Sequence, residues 1–227
     1  TMSAITDLRN QLVSVLLRTG PGKPTLCEGW NTEHMVAHLV LRETRPDIAA
    51  GVVIPPLASR TDRKTEELAG QLTDGRSYME AVEKFGSTNA PQRRSETVDY
   101  GMNFAEYVIH REDVLRGSSD STEMNGAESR IEGEDERIWK TIGSQGKMFA
   151  KDYPDGLTVM GTNDDGEPAF GSKTLREPSA SSRISGLVQK IVKAPSTGEH
   201  VTITGTPLEI LLYLFGRREA ANVQISY

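Results

Sequence analysis

The sequence predicts an α+β protein with two domains, residues 1–153 and residues 154–227. In the first domain apolar residues recur with the period of a helix, and segments rich in glycine or proline separate the helices. After Pro154 short runs of β-branched residues replace that period, which is typical of strands. The chain has 227 residues, enough for two modest domains with a real core. We therefore expect an N-terminal helical bundle and a small C-terminal unit of strands and one helix.

The N-terminal helices are predicted from their apolar rows and from the residues that begin and end them. They cover about residues 3–18, 31–50, 61–87 (one or two short helices), 95–116 and 134–151. Asn31 or Thr32 caps the second helix, which we expect to last until about Ala50. Gly117 ends the 95–116 helix, and the polar residues 118–133 predict a loop.

The C-terminal elements are shorter and follow one another closely. Strands are predicted at about 157–160, 201–204 and 222–226, with a turn at Asp165-Gly166 and a helix over about 208–215. Pro207 stands near the first position of that helix, where its missing N–H costs nothing. Residues 172–200 are rich in serine and favour no single element.

Composition limits the classes of partner. A formal net charge of −6 and a pI near 5.4 argue against a nucleic-acid or anionic-membrane surface. The longest apolar run, Ile210–Phe215, is too short to cross a bilayer, and we expect no secretory signal. The single cysteine excludes an intrachain disulfide and fits a reducing cytoplasm. We expect a cytoplasmic monomer or homodimer that acts on a small molecule, with no nucleic-acid or membrane partner.

The 95–116 helix carries the strongest chemical signal. Glu106 and His110 lie four positions apart, so they share a helix side, which also carries apolar Ala105 and Ile109. Burying a carboxylate and an imidazole among apolar side chains is costly unless both are satisfied, and a divalent metal ion would satisfy both. On the second helix His38 stands beside apolar neighbours and supplies a third ligand. Such a set leaves one coordination position open for chemistry.

Other interpretations of these residues stay open. The spacing of Glu106 and His110 is also typical of a hydrogen-bonded pair on a solvated helix face. His34, one turn before His38, is a competing ligand, although its place near the helix start favours an exposed or supporting role. Asp113 is either a surface carboxylate or the group that orients the second ring nitrogen of His110.

Two further patterns are weaker. Cys27 is a possible nucleophile, but no histidine stands near it in sequence, and packing is the favoured interpretation. Residues 163–167 resemble part of a calcium loop that lacks its last ligand, so we expect a hairpin turn there.

Three motifs in order resemble one known family. They are Leu26–Trp30 followed by Ala37–Val40, Asn103–Val114 with Glu106 and His110, and Gly205-x-Pro207 followed by Leu211–Arg217. Together they look like the mycothiol-dependent maleylpyruvate isomerase-like proteins, a branch of the DinB-like metal-binding helical bundles. The resemblance covers nearly the whole chain.

The resemblance implies a DinB-like four-helix bundle that holds Zn²⁺, or another divalent ion, on His38, Glu106 and His110. It also implies a C-terminal module similar to sterol-carrier proteins and a low-molecular-weight thiol, such as mycothiol, as cosubstrate. Arg217 matches the arginine that holds a substrate carboxylate; Arg218 is the alternative, and a cation at a helix end is the structural explanation for both. The implied activity is that of a thiol-dependent isomerase or S-transferase acting on a small acidic electrophile. The alternative is a non-catalytic metal- or ligand-binding protein.

Overall fold

The computed structural model describes residues 3–45, 58–87, 96–117, 130–178 and 200–227. These residues form seven α-helices, one 3₁₀ helix and one four-stranded sheet, so the predicted α+β class is confirmed. The chain divides into two compact units, Thr1–Ile131 and Glu132–Tyr227. No helix within the described ranges is both long enough and apolar enough to cross a membrane.

The described part of the N-terminal unit contains five helices. They are α1 (Ala4–Thr19), α2 (Thr32–Thr44), α3 (Ala58–Ala69), α4 (Gly75–Ser87) and α5 (Glu96–Gly117). Helix α1 packs against α4 and α5, and α2 packs against α3 and α4. Their apolar rows meet in a core that includes Leu8, Leu12, Leu39, Val82 and Ile109, all nearly inaccessible to solvent. The period seen in the sequence therefore marks the buried sides of these helices.

The start of α2 is set by its cap. The Asn31 side chain accepts a hydrogen bond from the backbone N–H of His34, and the His34 ring faces the Asn31 backbone N–H in return. These contacts satisfy two groups that a helix start would otherwise leave without a partner. The expected continuation of α2 over residues 46–50, and most of the expected loop at 118–133, lie outside the described residues.

The C-terminal unit combines a small sheet with helices. Its elements are α6 (Glu134–Gln145), a 3₁₀ helix (Gly146–Asp152), β1 (Leu157–Thr162), β2 (Pro168–Arg176), β3 (Val201–Gly205), α7 (Pro207–Leu214) and β4 (Gln224–Ser226). The strand order is β2-β1-β3-β4. Strands β1 and β3 are parallel, whereas the two outer pairs are antiparallel.

A hairpin turn joins β1 to β2, as expected. The Asn163 side-chain oxygen accepts hydrogen bonds from the backbone N–H groups of Asp165 and Glu167. Gly166 has a φ of 82°, a left-handed conformation that glycine adopts without strain. The acidic residues of this segment are thus part of a hairpin turn.

The division between the units falls at Ile131/Glu132 and not at the expected 153/154 boundary. The reason is that α6 packs on α7, on the 3₁₀ helix and on β2, all of which belong to the C-terminal unit. The Trp139 ring lies 6.1 Å from the Phe170 ring of β2, and Lys173 Nζ lies 5.0 Å from the Trp139 ring centre. The helical period correctly predicts α6, but a period does not indicate which element covers the apolar side of the helix.

Candidate metal centre

A stripe of polar side chains follows one side of α5. Asp99, Asn103, Glu106, His110 and Asp113 succeed one another at intervals of three or four positions, so they stack along the helix. All of them except the partly exposed Glu106 are buried. Buried polar groups need partners, and the partners of this stripe define the site.

The three expected ligands come together where α2 faces this stripe. The distance from Glu106 Oε2 is 3.2 Å to His110 Nε2 and 4.0 Å to His38 Nε2. One donor atom from each of the three residues lies within 4.8 Å of the other two. Both imidazole side chains are about nine-tenths buried, whereas the Glu106 side chain is 22% exposed. The cluster therefore approaches solvent on the side of its carboxylate.

One nitrogen of each imidazole is buried without a hydrogen-bond partner. Among the described residues, neither His38 Nε2 nor His110 Nε2 has a hydrogen-bond partner, although both atoms are buried. The nearest acceptor is Glu106 Oε2, which lies 4.0 Å from His38 Nε2 and 3.2 Å from His110 Nε2, and neither contact is a hydrogen bond. An unsatisfied buried polar atom costs roughly 1–3 kcal/mol. Two such nitrogens beside one carboxylate are a donor set that fits a divalent metal ion.

Asp113 orients the His110 ring. Its Oδ2 lies 3.0 Å from His110 Nδ1 and also accepts a hydrogen bond from the Cys27 thiol at 3.1 Å. A proton on Nδ1 completes the contact with the ring, which leaves Nε2 as the ligating atom. Of the two roles considered for Asp113, the structure shows the orienting contact, and the aspartate is fully buried.

Cys27 lies beside this cluster because of a tertiary contact that the spacing of the sequence does not predict. The backbone N–H of Leu26 donates to the Asp113 carbonyl, which brings the segment before α2 against the end of α5. A Cβ at Gly117 would clash with the backbone of Pro24 and Thr25, so glycine permits this close approach. The donor atoms of Cys27, His110 and Asp113 also lie within 4.8 Å of one another.

Arg42 is a neighbour of the ligands that the sequence prediction missed. Its Nη1 lies 3.5 Å from Glu106 Oε2, and its Nε donates to Asn103 Oδ1 at 3.3 Å. Asn103 in turn donates from Nδ2 to Asp99 Oδ1 at 2.7 Å. The helical spacing from His38 to Arg42 is the signal that would have found it, because residues four apart share a helix side.

Burial and mutual charge shift the pKa values of the three ligands. Burial raises the pKa of Glu106, but its contacts with the facing imidazoles and the charges of His110 and Arg42 outweigh that effect, so the pKa lies well below its usual value. Burial lowers the pKa of His38, and that effect prevails. Burial also lowers the pKa of His110, but hydrogen bonds, led by that with Asp113, raise it well above the usual value.

Two aromatic residues, Trp30 and His34, lie beside the cluster and contact different groups. The Trp30 ring is half-buried and lies 5.3 Å from the His38 ring, so it covers one side of that ligand. His34 Nδ1 lies 2.6 Å from Asn31 Oδ1, and its Nε2 lies 2.9 Å from Glu66 Oε2. Both ring nitrogens of His34 are thus engaged away from the three ligands.

The arginines expected near the substrate belong to the C-terminal unit. Arg217 Nη1 donates to the Phe215 carbonyl at 2.7 Å, and the Arg218 guanidinium lies 5.4 Å from the Tyr213 ring centre. Both contacts are within the end of α7 and the residues after it. A substrate-binding role for Arg217 stays a prediction.

No protein-family model, curated protein or solved structure matches this chain. The resemblance to the mycothiol-dependent family is therefore carried by the three sequence motifs. The candidate metal centre does not depend on that resemblance, because the distances, burial and hydrogen bonds of the described residues bring together side chains that could hold an ion.

Proposed function

We propose that the protein binds a divalent metal ion, Zn²⁺ in the first place, through His38, Glu106 and His110. The observation that carries this proposal is the pair of buried Nε2 atoms that lack partners and face one carboxylate. Two neutral imidazoles and one carboxylate match the three-ligand sets of catalytic zinc sites, which keep a fourth position for water or substrate. The exposed edge at Glu106 gives such a position a route to solvent.

We further propose that the protein is a thiol-dependent isomerase or S-transferase. A divalent ion supplies one essential property when bound, since it keeps a coordinated thiol deprotonated at neutral pH. The protein's own groups prepare the site for that thiol. Asp113 keeps the Nδ1 proton of His110 in place, Glu106 contributes one negative charge, and Trp30 covers the His38 ring.

The proposed reaction needs no protein nucleophile. The sulfur of a low-molecular-weight thiol, such as mycothiol, adds to an electron-poor carbon of a small unsaturated acid, and the double-bond electrons move to the activating carbonyl. The former double bond is then single and rotates. An isomerase expels the sulfur and regenerates the thiol, whereas a transferase retains the carbon–sulfur bond and the product takes up a proton. Arg217 is proposed to hold a substrate carboxylate in either case.

A non-catalytic metal-binding protein is the second candidate. It is favoured by a second group of possible donor atoms, on Cys27, His110 and Asp113, which lie within 4.8 Å of one another on the Nδ1 side of His110. If the protein supplies a fourth ligand, the coordination is closed, as in structural zinc sites. Such a site would stabilise the N-terminal unit without binding a thiol.

Calorimetry separates the two candidates. Purified protein is stripped of metal, reloaded with zinc, analysed for metal content and titrated with mycothiol; the metal-free protein is the control. The enzyme proposal expects about one zinc per chain and thiol binding that requires the zinc. Stoichiometric zinc without thiol binding would favour the structural alternative, and absence of zinc binding would refute both.

A further inference from the structure

We infer that Cys27, Asp113 and His110 form a second cation site, the thiol site, which binds a thiophilic divalent ion and takes His110 away from the proposed zinc site. The three residues offer a sulfur, a carboxylate oxygen and an imidazole nitrogen within 4.8 Å of one another. The nitrogen that faces Asp113 is Nδ1, whereas the zinc proposal uses Nε2 of the same ring. The thiol site stands on its own donor set, and its effect on zinc rests on the proposed function.

The distances around Asp113 are close to those of a metal site. Its Oδ2 lies 3.1 Å from Cys27 Sγ and 3.0 Å from His110 Nδ1. Metal bonds of about 2.0–2.3 Å at tetrahedral angles place neighbouring donor atoms roughly 3.3–3.6 Å apart. An ion that enters therefore has to separate these donors by only about half an ångström. Hydrogen bonds hold the same atoms together when no ion is bound.

Backbone contacts fix the position of Cys27. Its N–H donates to Thr25 Oγ1 at 3.2 Å, and its carbonyl accepts a hydrogen bond from the Trp30 N–H at 2.9 Å. The N–H of Leu26 donates to the Asp113 carbonyl at 3.0 Å. The turn that carries the thiol is thus closed on itself and attached to α5. A ligand that is already held in place loses less conformational entropy when it binds an ion.

The exposure and the chemistry of the sulfur indicate which ion enters. Asp113 and His110 are buried, whereas Cys27 is partly exposed. An ion from solvent therefore meets the sulfur first. Thiolate ligands favour thiophilic ions such as Zn²⁺ and Cd²⁺ over Mg²⁺ and Ca²⁺, which take oxygen ligands. The zinc site contains no sulfur, so this preference distinguishes the thiol site from it.

Binding at the thiol site changes which nitrogen of His110 carries the proton. The ion replaces the thiol proton of Cys27, which goes to solvent, and takes the lone pair of Nδ1, whose proton moves to Nε2. That N–H then faces Glu106 Oε2, which lies 3.2 Å away. Because a neutral imidazole has one free lone pair, His110 binds one ion at a time. An ion in the thiol site thus removes a ligand from the zinc site.

Cadmium titration tests the thiol site without any measurement of turnover. A cadmium–thiolate bond absorbs in the ultraviolet, and Cys27 is the only cysteine of the chain, so the band reports this sulfur alone. Cd²⁺ is added to metal-free protein, and competition with a chelator gives the affinity. We expect a saturable band in the wild type. His38→Ala should show the same band, because it loses a zinc ligand but keeps all three donors of the thiol site.

Substitutions distinguish a built site from a surface thiol. Asp113→Asn and His110→Ala should each weaken the cadmium binding that the band reports by about tenfold or more, because each removes a donor. Circular dichroism checks that both variants fold, and the isosteric Asp113→Asn decides the question if His110→Ala does not. Asp74→Asn is the matched control in the same unit; Asp74 is exposed and its hydrogen bonds are local, so its loss should change nothing.

Zinc-loaded protein tests the sharing of His110. In the wild type the cadmium–thiolate band should grow only as zinc is released. Zinc-loaded Cys27→Ser, which lacks the sulfur, should keep its zinc at the same cadmium concentration. A full band with zinc still bound, or equal zinc release from both proteins, would overturn the sharing of His110.

The remaining outcomes separate the thiol site from the proposed function. Absence of the band, or undiminished cadmium affinity in Asp113→Asn, would overturn the thiol site and leave the zinc proposal in place. If the protein binds no zinc but shows the band with the expected effects of substitution, the proposed function fails and the thiol site stands.

Discussion

The surroundings of His38, Glu106 and His110 shift the pKa values of these three residues in different ways. His38 is buried and its pKa is lowered, so it is already neutral for coordination. Glu106 is ionised because the neighbouring histidines hold its pKa well below the usual value, despite burial. Hydrogen bonds from Asp113 and the other neighbouring groups raise the pKa of His110 against the effect of burial, so a proton would compete there with a metal ion. The three residues would therefore make separate contributions to the proposed metal binding.

The first prediction concerns the ligands themselves. His110→Ala and Glu106→Ala should each lose most bound zinc and keep helical circular dichroism, because two remaining protein ligands hold zinc poorly. Metal analysis after gel filtration measures the loss. His34→Ala is the control and should keep its zinc, since both His34 ring nitrogens face Asn31 and Glu66. Stoichiometric zinc in both ligand variants would show that the ligand assignment is wrong.

The second prediction concerns the orienting carboxylate. Asp113→Asn removes the negative charge that faces His110 Nδ1, so zinc affinity should fall by about 10–100-fold, the usual cost of losing such a support. Competition with a metal chelator measures the change. Asp74→Asn on the exposed start of α4 is the control, because its hydrogen bonds are local to that turn. Equal zinc affinity in Asp113→Asn would reduce Asp113 to a packing role.

At the scale of elements, the site depends on how the segment before α2 meets the end of α5. Leu26 donates to the Asp113 carbonyl, and the Cys27 thiol donates to the Asp113 carboxylate. Gly117 lets the backbone of Thr25 come close to α5. The segment before α2 therefore contacts Asp113, the carboxylate that orients the proposed ligand His110.

The third prediction tests that contact. Gly117→Ala should destabilise the protein by about 1–3 kcal/mol, because the added methyl group forces the backbone of Thr25 away. Zinc affinity should also fall, since the segment that carries Cys27 shifts. Gly101→Ala on the same helix is the matched control: its added methyl group meets no atom within 4 Å, and alanine favours a helix. Denaturant unfolding measures both variants, and equal stabilities would show that the contact is unimportant.

The fourth prediction concerns the residues after α7. Arg217→Lys should leave metal content and thermal stability nearly unchanged but weaken binding or turnover of an acidic electrophile, because lysine lacks the planar fork. A screen of unsaturated dicarboxylates with mycothiol present supplies the substrate. The bond from Arg217 to the Phe215 carbonyl offers a structural explanation instead. A loss of stability well above the roughly 0.5 kcal/mol of a neutral surface change would support that explanation.

At the scale of the whole molecule, the proposed metal binding would couple to stability through the protonation of His110. In the metal-free protein the pKa of His110 is raised, so its contribution is complete below the ordinary histidine pKa of about 6.5. That contribution is lost as the pH rises through the folded-state pKa. A bound metal replaces the proton, so its contribution changes with pH in the opposite direction.

The fifth prediction follows from that opposition. The increase in melting temperature caused by zinc should grow as the pH rises. It should become small near pH ~5, because protons then compete with zinc for the nitrogens of both histidines. Thermal scans with zinc or with chelator measure it, and His110→Ala is the control that should show little zinc effect at any pH. Zinc retention that stays flat down to about pH 4.5 would argue against two histidine ligands.

The sequence alone determined the elements whose causes are local. Helical period and capping predicted α1, α2, α5 and α6, because side-chain spacing and helix ends depend on neighbouring residues. The pair Glu106 and His110 was predictable for the same reason, since residues four apart meet on any helix. Its pairing with His38 was inferred from matching apolar surroundings and from the family resemblance, and the structure brings the three together.

Only the tertiary structure decided which distant groups meet. Cys27 and Asp113 are 86 positions apart, and no local pattern states that a thiol will donate to that carboxylate. Arg42 belongs to the cluster because α2 turns one particular side toward α5. Helix α6 has an apolar side that any core would cover, and in the folded chain α7, the 3₁₀ helix and β2 of the C-terminal unit cover it. Local propensity sets what an element is, whereas the hydrophobic contacts and hydrogen bonds of the folded chain select its partners.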